Sequence, residues 1–72
     1  MKKNEVRGLK NKIELVDLLE YNYGKGFEDF VSVIMEGDEI WEYDDIEFLS
    51  GSAGYVIIRN DEVINCFTTA IS

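Results

Sequence analysis

Seventy-two residues with 15 acidic and 7 basic side chains, no histidine and no proline point to one small domain, 1–72, of net charge −8. An apolar content of 46% excludes a low-hydrophobicity disordered chain, and no run approaches the ~18 apolar residues of a membrane span. The charge excludes nucleic acid and anionic membranes as direct ligands, since both repel an acidic body.

The chain opens on a basic segment. Lys2, Lys3, Arg7, Lys10 and Lys12 face only Glu5 among the first twelve residues, and residues 1–10 read as a loosely ordered basic arm. The segment leads into no apolar signal-like stretch, and one cysteine suits a reducing compartment, so a cytoplasmic protein is expected.

Residues 12–22 read as a helix. Asn11 stands where an N-cap belongs, Glu14 follows three residues later, and Gly24 suits the C-terminal cap. Leu9, Leu15, Val16, Leu18, Leu19 and Tyr23 then form a broad apolar stripe with Glu14 and Asp17 opposite. After Gly24-Lys25-Gly26 the apolar period changes to two. Strands are expected at 30–35, 40–43 (resuming at 46–49), 55–59 and 63–69, with a turn at 36–39. The phase slips at Asp44-Asp45, which implies a bulge or break there. The predicted class is α+β, one N-terminal helix packed on a three- to four-stranded, mostly antiparallel sheet.

The last hairpin can be built in register. A two-residue type I′ turn at Asn60-Asp61 sets Arg59 opposite Glu62, Ile58 opposite Val63 and Ile57 opposite Ile64, with Phe67 over Gly54 and Cys66 across from Tyr55. Tyr55, Ile57, Ile64 and Cys66 then share one face; Val56, Ile58, Val63 and Phe67 share the other. Both faces are apolar, and one helix covers only one of them. A sheet-on-sheet homodimer supplies the missing layer, with a partner-binding patch as the alternative.

The strongest chemical feature is acidic clustering. Residues 28–47 hold Glu28, Asp29, Glu36, Asp38, Glu39, Glu42, Asp44, Asp45 and Glu47 and no base. Same-face residues two apart on a strand, such as Glu42 and Asp44, lie ~6.6–6.8 Å apart, close to the pitch of successive phosphates. A ridge built from Glu36, Asp38, Glu39, Glu42, Asp44, Asp45 and Glu47 would occupy a basic groove made for nucleic acid. Trp41 and Tyr43 would anchor it as aromatic hot spots; packing in the core is their alternative role, and a solvated face is the alternative for the acids. Mutual repulsion along such a ridge would raise its carboxylate pKa values.

Catalytic and cofactor readings find little support. Without histidine there is no Ser-His or Cys-His pair and no ordinary zinc site. Neither Asp38 nor Asp44 opens an EF-hand loop, which leaves only weak, irregular Ca²⁺ or Mg²⁺ binding. Both glycine clusters, 24–26 and 51–54, are too short for a phosphate loop and read as turns. Cys66 reads as a buried structural thiol, and an internal disulfide is impossible with one cysteine.

The expected function is therefore a non-enzymatic, cofactor-free acidic module that binds a basic protein surface, most plausibly that of a DNA- or RNA-handling protein. In size and charge the chain resembles small acidic inhibitors carried by phages and other mobile elements. That likeness is one of composition and carries no residue roles. The alternative is a structural or regulatory homo-oligomer whose acidity serves solubility alone.

Overall fold

The computed structural model describes residues 2–6, 8–21, 23–45 and 52–71. Its elements are a short 3-10 turn Lys3–Glu5, strand β1 (Leu9–Ile13), helices α1 (Leu15–Leu18) and α2 (Lys25–Ser32), and strands β2 (Glu39–Asp45), β3 (Ser52–Arg59) and β4 (Glu62–Ile71). The strands form one antiparallel sheet in the order β1-β2-β3-β4. The arrangement is α+β, with short helices.

The single helix expected over residues 12–22 is replaced by the end of β1 and the one-turn α1. Asn11 lies inside β1 rather than at a cap, and the N-cap residue is Glu14, whose side chain makes no capping bond. Tertiary pairing overrides local propensity here. Ile13 pairs with Ile40 and Leu9 with Tyr43. A register shift between Leu9 and Lys12 turns these two same-parity residues to opposite sides of the sheet. Of the expected stripe only Leu18 is buried; Leu15, Val16 and Leu19 are exposed.

The strand expected at 30–35 is the second half of α2 and its exit. Phe27, Phe30, Val31 and Ile34 stand at i, i+3, i+4 and i+7, the spacing of one helix face, and all four pack into the core. Val33 and Met35, which matched the alternating pattern, are exposed. Gly24, in a left-handed conformation at φ +95°, starts the helix.

The remaining strands match the sequence reading, with β3 as an inner strand. Asn60 and Asp61 adopt φ of 53° and 67°, as a type I′ turn requires. Arg59 pairs with Glu62 and Ile58 with Val63 as expected. The register then departs: Ile57 pairs with Asn65, leaving Ile64 as an extra residue. A second shift between Ala53 and Gly54 leaves Thr69 extra. The first bulge moves Phe67 opposite Tyr55 and onto the helix side with Ile57, while Cys66 falls opposite Val56 and is exposed, not buried. No slip occurs at Asp44-Asp45, which pair regularly with Ala53 and Ser52; the resumption expected at 46–49 lies outside the described residues.

Two apolar clusters flank the sheet. On the helix side Leu18, Phe27, Phe30, Ile40, Tyr55 and Ile57 are buried. On the second side Tyr43, Val56 and Ile58 are buried, with Val6, Leu9, Trp41 and Val63 against them. The covering layer sought on this side thus includes the chain's own N-terminal segment. Lys2 bridges to Glu62, and the Lys3 amide donates to the Asp61 carbonyl at 2.9 Å.

Candidate interaction surface

Strand parity sorts the expected ridge first. Residues 40, 42 and 44 of β2 face the helix side, with Ile40 in that cluster; residues 39, 41 and 43 face the other, with Trp41 and Tyr43 in theirs. Glu42 and Asp44 do share a face. The two aromatic residues meant to anchor beside them lie on the opposite side of the sheet. Tyr43 is buried and shares a 3.0 Å hydrogen bond with the Thr68 hydroxyl, so it is a core residue. Trp41 is half-buried, its indole N–H donating to Glu39 Oε1 at 2.8 Å.

Ion pairing sorts the ridge a second time. Asp38, whose side chain is 1% exposed, receives two bonds from Arg59: Nε to Oδ1 at 2.8 Å and a terminal guanidinium nitrogen to Oδ2 at 2.7 Å. The Met35 amide adds a third at 2.9 Å. Glu39 Oε1 accepts from Lys3 Nζ at 3.0 Å, and that ammonium lies 4.4 Å from the Trp41 ring centroid. Asp44 pairs with Lys10 at 3.1 Å. Glu36 is exposed and Glu42, opposite Tyr55, is half-buried. Asp45 stands opposite Ser52, and Glu47 lies outside the described residues.

At Asp38 and Glu39 the direction of titration is the reverse of that expected for a self-repelling ridge. The hydrogen bond from Arg59 holds the Asp38 carboxyl down at about 2, against the opposing effect of its burial. The Trp41 indole and then Lys3 lower Glu39. The folded-state value of Asp38 is depressed below the ordinary ~3.9, so its contribution is fully present above that value and is lost as pH falls toward about 2. The stability gap between the wild-type chain and Asp38→Asn, read from urea midpoints, should therefore be constant at neutral pH and close between pH ~4 and ~2. A gap that persists undiminished to pH 2 would rule out this account of Asp38.

Charge left without a counterion collects elsewhere. Residues 14–36, which hold both helices, contain Glu14, Asp17, Glu20, Glu28, Asp29 and Glu36 against Lys25 alone. All six acids are exposed, and none makes an ion pair among the described residues. The same stretch carries Leu15, Val16, Leu19, Tyr21, Tyr23, Val33 and Met35 as exposed large apolar side chains. The second side of the sheet shows no comparable group among the described residues. A shallow groove of about 460 Å³ crosses the helical layer, lined by Leu19, Tyr21, Phe27, Glu28, Val31 and Ser32.

Aromatic packing fixes one wall of this groove. Tyr21 stacks on Tyr23 with centroids 5.8 Å apart, and both rings approach Tyr55 at 6.3 Å. Tyr23 also packs edge-on against Phe27 at 5.1 Å. Burial and the hydrogen bond with Tyr23 push the Tyr55 hydroxyl up, keeping it protonated.

Of these six acids the sequence reading placed Glu28, Asp29 and Glu36 in its acidic cluster and Glu36 alone in the binding ridge; it missed this layer. The signal was the i, i+3, i+4, i+7 spacing of Phe27, Phe30, Val31 and Ile34: once they define the buried face, Val33 and Met35 are left outside. Among the described residues no three Cys, Asp or Glu side chains converge as a metal site requires, and no helix is long and apolar enough to cross a membrane. No family model, curated protein or solved structure matches the chain.

Proposed function

We propose that this chain is a non-enzymatic acidic interaction module that binds a basic protein through its helical layer. The observation that carries this reading is the coincidence, in residues 14–36, of seven exposed large apolar side chains and six exposed acids that make no ion pair among the described residues. Apolar side chains drive association, while unneutralised acids select a basic partner and steer its approach. The surface of a nucleic-acid-handling protein has that character, and an inhibitory role against one is part of the proposal, supported by the chain's likeness in size and charge to small acidic inhibitors. A cytoplasmic setting, where the exposed Cys66 thiol stays reduced, is part of the same proposal.

The ridge of β2 is the weaker place for the contact, because Asp38, Glu39 and Asp44 already hold Arg59, Lys3 and Lys10. Self-association through the helical layer is opposed by its own charge, since two copies would bring like acids together.

The test compares two double reversals of equal charge. Glu20→Lys with Glu28→Lys alters the helical layer; Glu42→Lys with Asp44→Lys alters the strand. In a low-salt pull-down, the wild-type chain should retain a basic protein and release it as salt rises. Reversal on the helices should weaken retention about tenfold, and reversal on the strand much less. Equal losses from both pairs would reduce the effect to net charge and remove the helical layer as the site.

A further inference from the structure

The groove on the helical layer has the chemistry of an anchor for one particular side chain. Leu19, Phe27 and Val31 give it apolar lining; Tyr21 lines it too and is itself backed by Tyr23; Glu28, also in the lining, is exposed and without an ion pair among the described residues. Among the described residues no cation lines it. We propose that this groove seats an arginine side chain of the basic protein partner, with the guanidinium plane on Tyr21, its N–H edge toward Glu28 and its methylene stem against the apolar walls. The inference rests on the function proposed above and names the recognition element within it.

Arginine fits these features and lysine does not fit them equally. A guanidinium is planar and weakly hydrated, so it can lie on an aromatic face while its edge donates to a carboxylate. An ammonium is a compact, strongly hydrated point charge with no flat face to stack. Tyr21 is 49% exposed despite packing on Tyr23, so it offers area to a ligand without rearrangement of the core. Its neighbours Tyr23 and Tyr55 hold it in place, which lowers the entropy lost when a ligand stacks.

The experiment is a titration of the isotopically labelled full chain, followed by amide NMR, with a blocked Leu-Arg-Leu tripeptide and its lysine and citrulline counterparts. The arginine peptide should shift residues 19–21 and 27–32 and bind about threefold more tightly than the lysine peptide. The citrulline peptide keeps the plane but loses the charge, and should bind more weakly than both. Glu28→Gln should weaken the arginine peptide about threefold. Tyr21→Leu should erase the arginine preference while leaving the amide shifts of Tyr43 and Ile57 unchanged, which reports an intact core. Equal binding of arginine and lysine peptides on residues 14–36 overturns the arginine anchor and leaves the proposed function standing. If neither peptide shifts any residue in that stretch, both fall.

Discussion

Gly54→Ala is expected to cost about 3 kcal/mol or more, one of the largest losses available to a single methyl group in this fold. Gly54 sits on β3 where the register shifts, with Thr68 opposite and Thr69 as the extra residue of β4. The bulge leans β4 inward: a Cβ on Gly54 would fall onto the Phe67 carbonyl oxygen and come within 2.9 Å of the Thr68 Cα. Both obstacles are backbone, which cannot rotate aside as a side chain could. Relief would require opening the β3–β4 ladder. Domains of this length hold only roughly 4–11 kcal/mol of stability, so the loss should be plain in urea unfolding. Gly37→Ala is the comparison. It has no heavy atom within 4 Å of the added methyl but a φ of +91°, and should lose only about 1 kcal/mol. Equal, small losses at both positions would show that the close approach at Gly54 is not real.

Ile57→Ala should cost about 3–4 kcal/mol and Ile64→Ala less than about 1. In an unbroken hairpin register these two residues face each other and share one buried face, so truncating either would leave a similar cavity. The bulge separates them. Ile57 has no exposed surface and packs among Leu18, Phe27, Phe30, Ile40 and Tyr55, while Ile64 is 40% exposed. A cavity at Ile57 is enclosed between sheet and helices and cannot collapse easily, which is the condition for a large penalty. Chemical denaturation of the two variants distinguishes the registers directly: comparable losses would restore the unbroken pairing and contradict the one described.

That pair also marks the boundary of what the amino-acid order makes legible. The turn at Asn60-Asp61 and the first two pairs beyond it were readable because a two-residue loop with positive φ leaves one geometry. The bulges were not, since an extra residue leaves no mark in composition or period, and the first is read only from Phe67 packing with Phe27 and Phe30 across the chain. The helices were misplaced for a related reason. Residues 9–13 favour neither helix nor strand strongly, and the free edge of β2 settles the matter by offering backbone hydrogen bonds and a seat for Ile13. At the candidate site, counting acids picked out the cluster over 28–47 and passed over Glu14, Asp17 and Glu20. It could not show which acids meet cations, because Lys3, Lys10 and Arg59 come from distant parts of the chain. The exposed apolar layer became visible only with α2 in place.

The attachment of the first residues to the far hairpin sets an order of assembly. The β3–β4 hairpin closes a short loop, and β2 adds to it across a modest one. Lys2 and Lys3 instead dock on Glu62 and Asp61, which spans nearly the whole chain, and their seat does not exist until that turn and β2 are formed. Loop closure therefore predicts that the N-terminal segment docks last, and that substitutions there speed unfolding more than they slow folding in a denaturant chevron. Trp41, the chain's one tryptophan, lies beneath the Lys3 ammonium, so its fluorescence is an optical reporter of the docking of this segment.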